Sequence, residues 1–97
     1  MYSNNKILDK FEGSNLLENA VDSHIHCCPH INDRSIHIFE AVRQAIACKM
    51  KAIGLMDNFS NSSGYAALVN KELTNISLDV FGGLIMEPYA GGVSAET

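Results

Sequence analysis

Ala52-Ile53-Gly54-Leu55-Met56 is a short, almost wholly apolar run, and Asp57, Asn58 and Ser60 follow it at once. A strand buried on both faces has this composition, whereas a strand with one wet face alternates apolar and polar side chains. Strands buried on both faces belong to parallel sheets, where each strand reaches the next through a helical crossover. The flanking sequence meets that demand on both sides.

Before the run, Ala20–His26 reads as a first strand, led in by Leu16 and Leu17. Cys27–Ser35 carries Pro29, Asn32 and Asp33, which is turn chemistry, and Ser35 is placed to cap a helix. From Ile36 the apolar residues Ile38, Phe39, Ala41, Val42, Ala45 and Ile46 face His37, Glu40, Gln44 and Lys51 on the other side. That is an amphipathic helix, ending near Lys49 without a glycine. After the run, Ser60 to Ser63 offer caps for a second helix with the stripe Tyr65, Leu68, Val69 and Leu73. Leu78 to Met86 gives a third strand broken by Gly82-Gly83, with Glu87-Pro88 ending it and Gly91-Gly92 opening the tail. The order strand, helix, strand, helix, strand predicts an α/β fold, a parallel βαβαβ unit with right-handed crossovers. Residues 1–19 are a lead-in, with Ile7, Leu8 and Phe11 at helical spacing and Gly13-Ser14 as its stop; residues 20–97 form the domain.

Composition narrows the function. A chain of 97 residues with 46% apolar and 19% charged residues suits one small folded domain. Its net charge is -4 and its seven basic residues are scattered, so no nucleic-acid partner is expected. No apolar run reaches the length of a membrane span, and Met1–Lys10 lacks a signal-peptide core. Three cysteines without a secretion signal are expected to be reduced thiols in the cytoplasm.

In parallel α/β folds chemistry collects at the C-terminal ends of strands. Those ends carry His24 with His26, Asp57 with Asn58, and Glu87. Side chains of a strand alternate with a period of two, so Asp22, His24 and His26 share a face. Two imidazoles in a row make half of a divalent-metal site, and a carboxylate beside them can orient one from behind. The bland alternative is a pair of solvated strand-end histidines. A structural zinc knot from His24, His26, Cys27, Cys28 and His30 lacks a second Cys/His pair at finger spacing. Cys27, Cys28 and Cys48 read as packing residues, Met50, Met56 and Met86 as core fillers and His37 as exposed, while His30 reads as a solvated loop histidine or as one that approaches the metal or a substrate. Ser62-Ser63-Gly64 makes no nucleophile elbow.

The motif Asp22-Ser23-His24-Ile25-His26, with Cys28-Pro29, the Ala41–Met50 helix end, Ala52–Asn58, Val80-Phe81-Gly82-Gly83-Leu84 and Gly91-Gly92-Val93, resembles an uncharacterised branch of the amidohydrolase-like metallo-dependent hydrolases. The resemblance covers about residues 16–93. It implies a β/α-barrel, a bound divalent metal (zinc first, manganese or iron otherwise) and hydrolysis of a C–N or related bond in a small-molecule substrate. His24 and His26 would be metal ligands, Asp57 and Glu87 catalytic carboxylates, and Asp22 and Asn58 supporting residues around the metal; the structural alternatives are that Asp57 starts a turn, Asn58 caps the next helix and Glu87 is a loop carboxylate. The chain departs from that branch at Met56, where lysine is usual, and at Asn58, where histidine is usual. A whole barrel of this kind takes roughly 250 residues, so the chain is expected to be the first third of one, a truncated or incomplete form. Open sheet edges would then call for a homo-oligomer or a partner chain. A fragment of a phosphoesterase of the PHP type, which also opens with an HxH strand, and a non-catalytic interaction module are the alternatives.

Overall fold

A computed structural model of the chain describes residues 13–74 and 76–97. The lead-in helix expected around Ile7, Leu8 and Phe11 lies outside the described residues. The elements are a 3₁₀ turn Ser14–Leu17, β1 (Val21–Ile25), α1 (Ile38–Ala47), β2 (Ala52–Leu55), α2 (Ser63–Glu72), β3 (Asp79–Gly82) and a 3₁₀ turn Pro88–Ala90. The three strands form one parallel sheet in the order β1-β2-β3, so the chain is the βαβαβ unit the sequence calls for.

β2 is central and buried at every position, which is why its sequence carries no polar residue. Its side chains still divide between two faces. Ile53 and Leu55, each 2% exposed, join Val80 of β3 in one core cluster with Val42 and Ala45 of α1 and Ala66 and Val69 of α2. Both helices therefore cover the same face, as successive right-handed crossovers require. The other face carries Ala52 and Gly54 with their ladder partners Val21, Asp79 and Phe81. Val21 is 55% and Phe81 39% exposed, and no helix among the described residues lies over them.

Gly54 is a glycine for a reason of space. The register passes from Asp22↔Ile53 to Ile25↔Leu55, so β1 holds one extra residue opposite Gly54. That bulge and the Phe81 ring close on the glycine: a Cβ there would stand 2.5 Å from the Ser23 carbonyl oxygen and 2.6 Å from the ring.

α1 buries Ile38, Ala41, Val42 and Ala45, an i, i+3, i+4, i+7 stripe. It starts two residues later than the sequence suggests, and Ser35 does not cap it. Cys28 donates its N–H to the Ile36 carbonyl and accepts from Ile38 N–H, a parallel bridge that holds residues 36 and 37 extended. His37 takes the cap instead: its Nδ1 accepts from Phe39 N–H, while Glu40 Oε1 accepts from His37 N–H. At the far end Lys49 adopts a left-handed φ of 57°. Lys49 N–H reaches the Ile46 carbonyl and Met50 N–H the Ala45 carbonyl, the two bonds of a Schellman cap made without glycine.

α2 corrects the expected stripe. Ala66 and Val69 are its buried residues, with Tyr65 and Leu73 packed beside them, while Leu68 is 55% exposed. Adjacent residues lie about 100° apart around a helix, so Val69 inside turns Leu68 outward. β3 is shorter than expected and stops at Gly82, because Gly83 leaves the ladder to bond Ser62. Among the described residues no helix is long and apolar enough to cross a membrane.

Candidate functional site

The C-terminal ends of β1 and β2 lie side by side, and the sequence-predicted residues divide between them. At β1, the Asp22 carboxylate accepts the N–H of His24 at 3.2 Å, so it is turned to its own backbone and fixes the strand end. Beyond it the Nε2 atoms of His24 and His26 stand 3.0 Å apart, with ring centroids at 5.0 Å. His24 is exposed and His26 half-buried. His26 Nδ1 is shut away from solvent, with no hydrogen-bond partner among the described residues. Burial is the first cause that pushes the His26 imidazole below its ordinary pKa. The charges of Arg34, His24 and His30 act in the same direction and Asp57 acts against them. These causes favour the neutral imidazole, the form that ligates a metal.

The loop after β1 supplies His30, which the sequence left between solvent and the site. Instead of being solvated, the His30 side chain is only 1% exposed. It stands edge-on to His26 at 5.5 Å and to Phe59 at 5.9 Å, and its Nε2 lies 3.6 Å from Asp57 Oδ1. Its Nδ1 accepts the Asn32 N–H at 3.0 Å, and Arg34 Nη2 stands 3.4 Å from Nε2. A loop histidine carries no periodicity from which burial could be read. The usable signal was Pro29 with Asn32 and Asp33, which fold the loop back over the strand end, and the Cys28–Pro29 bond is cis. His37 is likewise drawn from the solvated stripe into the α1 cap, stacked on Phe39.

At β2, Asp57 is buried. Its Oδ1 accepts from Phe59 N–H at 2.8 Å and its Oδ2 from Ser60 Oγ at 3.4 Å, so it opens a turn as well as facing His30. Asn58 follows, half-buried, with no side-chain hydrogen bond among the described residues. Glu87 is not brought to the histidines by any hydrogen bond or ion pair among the described residues. Its segment reaches the site through Tyr89, which stacks on Phe59 at 4.9 Å. Cys27 belongs to the core instead, and burial, then the neighbouring Cys28, pushes its thiol up to about 11.

As a donor set, His24 and His26 fit one edge of a metal site. Two nitrogens at the zinc–imidazole distance in a tetrahedral arrangement would be roughly 3.3 Å apart. Among the described residues no group of three or more His, Cys, Asp or Glu side chains is placed to hold an ion. Of the carboxylates at the two strand ends, Asp22 is turned to the His24 amide and Asp57 is held by its own turn and His30.

No curated protein and no solved structure matches the chain. Residues 19–97 match the model of a family of unknown function (DUF6282), which takes in the lead to β1, all three strands and the tail. The chain belongs to that family.

Proposed function

We propose that this chain is the opening part of a metal-dependent hydrolase of the amidohydrolase-like kind, with His24 and His26 as two of the ligands of a divalent ion. One observation carries the reading: two imidazole Nε2 atoms converge at 3.0 Å at the C-terminal end of the first strand of a parallel βαβαβ unit. Zinc suits the imidazole pair best, with manganese or iron as the alternatives. A divalent ion held there would supply Lewis acidity and a bound water that ionises near neutrality.

The chain's own residues have separate tasks in this reading. Asp22, by accepting the His24 amide, fixes the strand end from which both imidazoles project. Burial and the positive charge of Arg34 keep His26 unprotonated, ready to ligate. Asp57 holds His30 against the pair, and Asn58 and Glu87 flank the approach of a small-molecule substrate. The remaining ligands come from outside these three strands, from further barrel strands, a second copy of the chain or a partner chain. The outer edges of β1 and β3 are where such strands would add.

The test is metal content by plasma mass spectrometry, on the native chain and the His24→Ala/His26→Ala variant side by side. The expected result is about one ion of zinc, manganese or iron per chain, lost in the variant. No metal in either sample, with folding unchanged, would overturn the reading and favour a non-catalytic interaction module that persists by pairing its open sheet.

A further inference from the structure

His30 and Arg34 pose a problem of donors without acceptors. The backbone N–H of Asn32 can only donate, and it donates to His30 Nδ1. The guanidinium of Arg34 can also only donate, and its Nη2 faces His30 Nε2 at 3.4 Å. A neutral imidazole has one accepting nitrogen and an imidazolium has none, so in no protonation state are both donors served. The Asn32 contact is the shorter of the two, and Asp57 Oδ1 lies 3.6 Å from Nε2 on the other side. The ring proton therefore resides on Nε2, and Arg34 points a donor at a donor.

Arg34 Nε is in the same position: it is shielded from solvent and has no acceptor among the described residues. Nε and Nη2 lie on one edge of the guanidinium, the edge that takes two oxygens side by side. Among the described residues Arg34 makes no ion pair. Asp57, the buried carboxylate closest at hand, spends its oxygens on Phe59, Ser60 and His30. A buried edge of this kind costs free energy until an acceptor meets it.

We propose that Arg34 and His30 form a receptor for an oxyanion group of a small molecule, a carboxylate or a phosphate, beside the His24–His26 pair. One oxyanion edge accepts from Arg34 Nε and Nη2 and draws the His30 Nε2–H away from Asp57. Phe59, edge-on to His30 and stacked on Tyr89, gives the neighbouring part of the ligand an apolar wall. The inference stands whether or not an ion binds His24 and His26, and it is tested without one.

The experiment is an NMR titration of the full chain in chelator, with inorganic phosphate in one series and acetate in another at constant ionic strength. The chain has two arginines, Arg34 and Arg43, so the Nε–Hε signal that Arg34→Met removes is Arg34's. Saturable movement of that signal and of the His30 ring signals is expected. Phosphate alone moving them assigns a phosphate ligand, and acetate alone assigns a carboxylate. Arg34→Met should weaken binding, read at His30, by at least about ten-fold, the loss expected when a charge-assisted paired contact goes. Arg34→Lys keeps the charge without the fork and serves if Arg34→Met does not fold; it should weaken binding as well, whereas Lys49→Met should not. Movement with neither anion, or movement undiminished in both Arg34 variants, overturns the proposal.

Discussion

After β2 the chain buries Asp57 and Ser62 and gives both of them partners. Ser62 Oγ donates to the Leu55 carbonyl and accepts from Gly83 N–H at 3.0 Å, while Ser62 N–H reaches the Gly83 carbonyl at 3.0 Å. One hydroxyl thus ties the ends of β2 and β3 to the start of α2. After β1, the chain shields His26 Nδ1 and Arg34 Nε, and no described residue partners them. A buried polar atom without a partner costs about 1–3 kcal/mol, so the two strand ends differ by more than a typical mutation changes a protein's stability. The difference separates two uses of polarity. The β2 end spends its polar groups on holding the fold, and the β1 end holds them ready for something that is not part of the fold.

The comparison breaks most visibly if the β2 end proves tolerant. A Cβ on Gly82 would stand 2.5 Å from Ser62 C and Ser63 N and 2.6 Å from the Ser62 carbonyl oxygen. All three are backbone atoms and cannot step aside. Gly82→Ala is expected to destabilise the chain by about 3 kcal/mol or more, measured as the shift of the urea midpoint. Gly64→Ala, in the first turn of α2 with nothing within 4 Å, should instead gain about 0.5 kcal/mol. Next in size is Ser62→Ala. Ser62 is 1% exposed, and its loss strands the Leu55 carbonyl and the Gly83 N–H, so a cost of about 2 kcal/mol is expected in the same assay. A cost near zero for either change would mean that the β2 end is no more committed to the fold than the β1 end.

How much of this could be read from the sequence follows from the same contrast. The order of strands and helices along the chain and the burial of β2 follow from the apolar pattern, because a strand or helix repeats its message over several residues. Asp22, His24 and His26 were legible as a row for the same reason. His30 and Arg34 were not, since their meaning lies in two hydrogen bonds and one missing acceptor inside an aperiodic loop. Ser62 read as one of several cap candidates. It sits at the start of α2, but its hydroxyl is spent on Leu55 and Gly83, and Asn61 Oδ1 takes the Ser63 N–H at 2.9 Å. Leu68 misled because a sparse stripe of four apolar residues leaves the helix free to rotate by one position. Glu87 marked the end of a strand that in fact stops at Gly82, so Glu87 lies in the segment after β3 and not at a strand end.

The loop that holds the unpartnered donors also has an ordinary half, and Cys27 measures it. The Cys27 thiol is buried in the core and raised from 9.0 to about 11. The folded state therefore favours the neutral thiol. Its contribution to stability is complete below pH 9 and is lost as pH rises from there through about 11, because the unfolded chain ionises first. Urea midpoints taken across that window should fall with pH, and Cys27→Ala should flatten the fall. An unchanged slope would place the thiol in water and remove the packed half of the loop.

The smallest expected change is the most telling. Arg34→Met keeps the length and apolar stem of the side chain and removes the guanidinium. If the β1 end were structural, this would cost as much as Ser62→Ala. Because the removed donors satisfy nothing, stability should stay within about 0.5 kcal/mol of the native chain, or rise slightly, since an unmet buried donor is a cost that its deletion relieves. A loss of about 2 kcal/mol would show that Arg34 holds the loop in place, and the two strand ends would then be doing the same job.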